Sequence, residues 1–184
     1  MTTRSDHLIL VVNPGSTSTR VALFSKGSLS REVSLPVPAA EGDPSLWQEF
    51  PSRLQGIRDW MEEIGVGGSD VDAVVGRGGL FRPVEGGTYR VTEAMLKDAR
   101  ENRQGIHASN LGCVLAHALA GELGNGEEHD VPAFVVDPVS TDEFGDLARY
   151  SGLREISRTS LSHALSIHAL VRQVKELVQK EYEH

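Results

Sequence analysis

The stretch Leu8-Ile9-Leu10-Val11-Val12-Asn13-Pro14-Gly15-Ser16-Thr17-Ser18-Thr19-Arg20-Val21-Ala22-Leu23-Phe24 decides the fold. Leu8 to Val12 is a short apolar run rich in branched residues, and Arg20 to Phe24 is a second segment of the same kind. Both read as strands. Between them, Asn13 to Thr19 is a turn of Gly, Pro and hydroxyl residues, each suited to reversing a chain. The chain therefore opens with a hairpin-like pair. A P-loop is excluded, because its lysine is missing and a strand follows where a helix is needed. A dinucleotide-binding fingerprint is excluded on the same ground.

Working outward, Glu32 to Val37 reads as a third strand. From Pro44 to Gly65 the pattern changes: Leu46, Trp47, Phe50, Leu54, Ile57, Met61 and Ile64 recur at helical spacing, which predicts an amphipathic helix with Trp47 and Trp60 as core aromatics. Asp72 to Val75 is a short strand running into Gly76-Arg77-Gly78-Gly79, and Glu85 to Thr88 reads as a turn leading to Tyr89. Thr92 is a cap for a helix over Glu93 to Arg100. Asn110 to Leu123 is a long apolar helix, with Asn110 as a candidate cap, stopped by Gly124-Asn125-Gly126. Pro132 to Val136 is a buried strand ended by Asp137-Pro138. Glu143 to Tyr150 reads as a short helical turn and Ser160 to Tyr182 as a long helix. Strands and helices in this order predict a mixed α/β protein without internal repeats.

The 184 residues suffice for one real core. Hydrophobic residues make up 39% and charged residues 24%, the balance of a globular protein. No apolar run is long enough to cross a bilayer, and Met1 to His7 does not resemble a signal peptide, so a cytoplasmic protein with no membrane partner is expected. The single Cys113 allows no internal disulfide and sits in an apolar stretch, where it reads as a small buried hydrophobe. A net charge of −8 argues against nucleic acid as a partner. It leaves room for an anionic small substrate held by a few local arginines.

Three places can carry chemistry. In the Asn13 to Arg20 segment, backbone N–H groups of a tight turn can bind phosphate oxygens, with the hydroxyls of Ser16, Thr17, Ser18 and Thr19 and the charge of Arg20 beside them; an ordinary polar hairpin turn is the plain alternative. In Gly76-Arg77-Gly78-Gly79, glycines let the backbone approach a ligand, and Arg77 can grip a carboxylate or phosphate with two N–H groups; a surface ion pair is the alternative. Arg82 is a further cation close by. Asp137, with Asp142 and Glu143 behind it, stands at a strand end and suits hydrated Mg²⁺, which needs only one or two protein ligands; a plain turn aspartate is the alternative. Among the seven histidines, no pair has zinc-ligand spacing. His163 and His168 do not share a face at such spacing, and His107 stands at a helix start. No G-x-S-x-G elbow appears.

Several stretches together resemble one family. Val11 to Arg20, Val74 to Leu80, Pro83 to Tyr89, Val91 to Leu96, His107 to Gly112, Pro132 to Val139 and Ser160 to Leu165 are similar, in this order, to successive blocks of the butyrate kinases, in the acetate kinase superfamily. Arg20 stands where a lysine is also usual. The resemblance covers nearly the whole chain and extends equally to branched-chain fatty-acid kinases. It implies an actin-like, ribonuclease H-like mixed sheet with flanking helices, the first of two duplicated domains. It implies ATP, Mg²⁺ and a short-chain carboxylate, with butanoyl phosphate and ADP as products. On the matched positions, Asn13 faces the transferred phosphoryl group, and Gly15, Ser16, Thr17, Ser18, Thr19 and Arg20 form the phosphate-binding turn. Arg77, with Gly78 and Gly79, holds the substrate carboxylate, and Asp137 is associated with Mg²⁺. Near Ser157 to Ser160 acetate kinases carry a phosphate-stabilising histidine; here Arg158 and His163 are the candidates to supply that charge. Family members run to about twice this length, which implies that residues 1–184 form the N-terminal domain, with a second lobe starting at about 160–184. The ATP-binding half would then be absent, this fragment inactive alone, and the full-length enzyme a homo-oligomer. A non-catalytic actin-like binding module and a sugar kinase are the competing classes; the second would place a general-base aspartate near a hydroxyl.

Overall fold

Alternation along the first strand sets the layers. In β1 (Leu8–Pro14), Leu10 and Val12 are fully buried, while Val11 and Asn13 face the other side of the sheet, as the two-residue period of a strand requires. The computed structural model describes residues 6–37, 46–126 and 129–178. The helix start expected at Pro44, the helical run from 179 to Tyr182 and the chain ends lie outside the described residues.

β1 pairs antiparallel with β2 (Ser18–Ser25), which pairs antiparallel with β3 (Ser28–Pro36). After helix α1 (Phe50–Glu63), β4 (Ala73–Arg77) lies parallel to β1. Then come β5 (Thr88–Arg90), α2 (Glu93–Arg100), α3 (Asn110–Leu123) and β6 (Ala133–Val136). β6 is parallel to β4 and antiparallel to β5. The sheet order is β3-β2-β1-β4-β6-β5. The expected hairpin-first mixed sheet with flanking helices is what the chain forms.

Helices α1 and α3 cover the face carrying Leu10, Val12, Val21, Leu23 and Val74, closing a core with Ile57, Trp60, Met61, Leu115 and Leu119. A smaller cluster of Phe81, Leu96, Cys113 and Val135 joins α2 and α3 to β6. Burial pushes the Cys113 thiol up to about 12, so it behaves as the apolar residue expected. Helix α3 lies so close to β4 that a Cβ on Gly76 would strike the Gly112 carbonyl, and one on Gly112 would strike the Arg77 carbonyl. A Cβ on Gly79 would fall 2.5 Å from Asn110 Oδ1. These glycines let one backbone approach another, a use that the ligand-centred expectation for this loop did not include.

The α2 cap is as expected, with Thr92 Oγ1 accepting from the Met95 N–H. Other boundaries differ. Asn110 is inside α3, after Ser109, and is fully buried. Its Oδ1 accepts from Leu80 N–H and its amide donates to Gly105 O, so it pins the glycine loop rather than capping a helix. Residues 146–149 form only a 3-10 turn. The last helix, α4 (Ala164–Val178), begins later than Ser160, because Ser160 Oγ donates to Thr141 O and Ser162 N–H to Val139 O. Beyond the turn expected over Glu85 to Thr88, residues Thr88–Arg90 form β5, a short edge strand that the sequence analysis did not include. No helix among the described residues is long and apolar enough to cross a membrane.

Candidate functional site

The three parallel strands end side by side. Val12 pairs with Gly76, which puts Asn13 beside Arg77, and Arg77 pairs with Val136, the residue before Asp137. On the other flank, Asn13 pairs with Arg20. Arg20, Asn13 and Arg77 thus share one row on one face of the sheet, at the carboxyl ends of β1 and β4 where open α/β sheets bind ligands. Arg77 Nη1 is 3.4 Å from Asn13 Oδ1. Both line a cavity of about 170 Å³ together with Val75, Val136, Leu165 and Ser166. The start of α4 therefore roofs the site, with apolar side chains next to a cation.

The turn after β1 is built tightly. Gly15 N–H donates to Ser18 O at 2.8 Å, so it is used inside the turn. Thr19 is buried, and its hydroxyl accepts from Arg53 Nη1 at 2.7 Å. Of the residues expected to meet phosphate, Gly15 and Thr19 thus support the turn with those groups, while Ser16, Thr17 and Arg20 are exposed. Arg53, on α1, escaped the sequence reading altogether. Its guanidinium also donates to Gly15 O at 2.7 Å, to Ser18 O at 3.3 Å and to Glu49 Oε2. An arginine at a core position of an amphipathic helix was the available signal.

Asp137 follows β6 at a positive φ of 39°, uncommon for a residue with a side chain. Its carboxylate is buried; Oδ1 accepts from Gly87 N–H at 2.7 Å, and Oδ2 lies 2.9 Å from His168 Nδ1. His168 Nε2 lies 3.6 Å from Glu143. Among the described residues there is no group of three side chains that could hold a metal ion. One carboxylate still suits hydrated Mg²⁺, which keeps several waters, and each Asp137 oxygen retains a lone pair. The residues fit contact through metal-bound water; direct coordination would compete with His168.

His107 lies within electrostatic range of Arg77. Burial, with the neighbouring charges of Arg77 and His163, holds its imidazole below its ordinary value. Its Nδ1 accepts from Ser109 N–H at 3.1 Å, which leaves Nε2 to carry the proton of the neutral ring. His163, exposed just before α4, is thus within electrostatic reach of the Arg77 neighbourhood. Arg158 is exposed, its guanidinium 5.7 Å from the centroid of the Phe144 ring. Arg82 is not a second free cation: its Nε and backbone N–H both donate to the buried Asp98. Gly78 packs on Pro138.

No protein-family model matches the chain. It is 40% identical over 177 residues to butyrate kinase 2 of Clostridium acetobutylicum, covering 95% of this chain and 48% of that protein. It is 44% identical over 177 residues to a probable butyrate kinase of Enterococcus faecalis, covering 95% and 47%. The chain spans about half the length of these relatives, as an N-terminal portion of them. Among solved structures, it is similar to a propionate kinase of Francisella tularensis (TM-score 0.64, 12% identity, 95% of this chain and 50% of that one). It is also similar to acetate kinase of Entamoeba histolytica (TM-score 0.62, 13% identity, 92% and 46%). The actin-like fold expected from the sequence is thus the fold of these acid kinases.

Proposed function

We propose that this chain supplies the carboxylate- and phosphoryl-binding half of a butyrate kinase, which transfers the terminal phosphoryl group of ATP to butanoate, giving butanoyl phosphate and ADP, reversibly. The observation that carries this is Arg77 beside Asn13, over a partly apolar cavity at the carboxyl ends of β4 and β1. Similarity to butyrate kinases over nearly the whole chain supports it. The relatives' other half would supply the nucleotide's base and ribose site.

The reaction asks for positioning and charge neutralisation rather than covalent help. A carboxylate oxygen of butanoate forms a bond to the terminal phosphorus. The bond from that phosphorus to the bridging oxygen breaks, and the negative charge passes to the oxygens of ADP. Butanoate is ionised at neutral pH, so no general base is needed. Arg77 holds the acid's carboxylate against the phosphoryl oxygens, and Asn13 orients the guanidinium. The exposed hydroxyls of Ser16 and Thr17 and the charge of Arg20 receive phosphate oxygens. Neutral His107 donates through Nε2, and Arg158 and His163 are the side chains offered to the phosphoryl charge from the segment before α4. Asp137 would hold Mg²⁺ through the ion's waters, where the ion would supply charge neutralisation to the phosphates. Leu165, Val75 and Val136 offer apolar surface to the acyl chain.

In this proposal the described residues up to β6 form the first domain and α4 begins the second lobe, since Ala164 is the one buried residue of that helix. The enzyme works in the cytoplasm as a homo-oligomer. The test joins this chain to the remaining half of the Clostridium relative and traps butanoyl phosphate with hydroxylamine. Activity is expected, with Arg77→Ala lowering kcat/KM by about two to four orders of magnitude and Asp137→Asn shifting the Mg²⁺ titration. A loss below about tenfold at Arg77, on the same scale of lost preorganised donors, contradicts the assignment.

A further inference from the structure

Arg53 has an unusual place for a charged residue. Its side chain is 1% exposed, against 19% for its partner Glu49. It sits on the core-facing side of α1 and reaches across to the turn between β1 and β2. Nη2 donates to Gly15 O at 2.7 Å, and Nη1 to Ser18 O at 3.3 Å and Thr19 Oγ1 at 2.7 Å. Nε and Nη2 both donate to Glu49 Oε2, at 3.0 and 2.7 Å.

Stability alone does not call for this residue. Well-packed apolar side chains commonly replace a buried ion pair without loss. What an apolar residue cannot do is hold several acceptors at fixed angles, which the planar fork of a guanidinium does. The peptide bond is planar and trans, so its C=O and N–H point in opposite directions. Drawing the Gly15 carbonyl inward to Arg53 therefore turns the Ser16 N–H of the same peptide unit outward. Ser16 and its neighbour Thr17 are both exposed.

We propose that Arg53 is a positioning residue for the phosphoryl-binding turn: from beneath, it fixes Gly15, Ser18 and Thr19 so that the Ser16 N–H is presented to a phosphate oxygen. This rests on the phosphate-binding role given above to that turn. Arg53 itself does not touch the anion, because its donors are committed to the turn and to Glu49. A side chain buried in the core thus sets the shape of a surface loop through backbone carbonyls.

The test is a titration of the ¹⁵N-labelled 184-residue chain with inorganic phosphate, followed through backbone amides and the Arg77 Nε–H. In the unaltered chain the Ser16 amide and Arg77 respond together. In Arg53→Lys the ammonium cannot bridge Gly15 O and Ser18 O. Phosphate should then bind at least about tenfold more weakly, the equivalent of one charge-assisted hydrogen bond, while the amides of α3 stay in place. Millimolar guanidinium should restore part of the Ser16 response in Arg53→Ala, which a purely structural role would not do. Glu49→Gln keeps the guanidinium but weakens its anchor, and should cost about threefold, less than a full charged bond; it serves if the arginine variants do not fold. Phosphate affinity unchanged in Arg53→Lys or Glu49→Gln, with Arg77→Ala still abolishing binding, overturns the positioning role and leaves the proposed function standing. An unaltered chain whose Ser16 and Arg77 signals ignore phosphate contradicts both.

Discussion

Arg77 Nη1 lies 3.4 Å from Asn13 Oδ1, although the two residues come from strands separated by β2, β3 and α1. The parallel pairing of Val12 with Gly76, one step before each of them, produces the meeting. At that distance the bond is weak, so it orients the guanidinium without exhausting it. Among the described residues no carboxylate pairs with Arg77. An arginine left with free donors at the carboxyl ends of parallel strands is prepared for an anion.

The charge of Arg77 is felt at His107, whose imidazole is held low by burial and by its neighbours Arg77 and His163. Arg77→Ala removes that fixed charge and should raise the His107 titration toward its ordinary value. Bound phosphate should raise it too, by favouring the protonated ring. NMR titration of the His107 ring reads this directly. A midpoint that Arg77→Ala leaves unmoved would separate the two residues.

The close approach of α3 to β4 predicts a stability effect. In Gly112→Ala the new methyl group would meet the Arg77 carbonyl, which is backbone and cannot swing aside. The expected loss is about 2–3 kcal/mol by urea unfolding, together with weaker phosphate binding because Arg77 is displaced. Gly121→Ala, on the same helix with open space around it, is the control. Equal stability of the two variants would mean that α3 stands farther from the sheet.

Acid should weaken the loop that carries Arg77. Burial alone would raise the Asp98 carboxyl, but hydrogen bonds from the Arg82 side chain and backbone, with the charges of Arg82 and Arg103, hold it below its ordinary value. The unfolded chain therefore takes up the proton first. The stabilisation is complete above the ordinary carboxylate range and is lost as pH falls below about 4. Asp98→Asn should cost about 1–3 kcal/mol at neutral pH and flatten the decline in unfolding free energy below pH 4. An undiminished acid slope in this variant would assign the effect to other carboxylates.

Much of the fold was legible because its signals are local. The branched run from Leu8 to Val12, the Thr92 cap and the Gly124 stop each act within a few residues, and the elements they predict appear with near-matching bounds. The site was legible in part. Arg77 and Asp137 were selected at strand ends and Asn13 as the start of a turn; β1 in fact runs on through Asn13 to Pro14, and strand pairing sets the three in neighbouring positions. What stayed hidden depends on contacts between distant segments. Arg53 meets the turn only when α1 packs on the sheet, His168 reaches Asp137 from α4, and Arg82 turns away to a buried Asp98. The glycines around Arg77 were read as room for a ligand, whereas α3 already fills much of that room.

The most direct test of the central claim is a double-mutant cycle on phosphate affinity, measured by calorimetry on the chain with Asn13→Ala, Arg77→Ala and both changes together. If Asn13 orients Arg77 toward one shared anion, each single change weakens binding, and the double variant loses less than the sum by at least about 0.5 kcal/mol. Losses that add within about 0.3 kcal/mol, or an affinity that Arg77→Ala leaves intact, would contradict it.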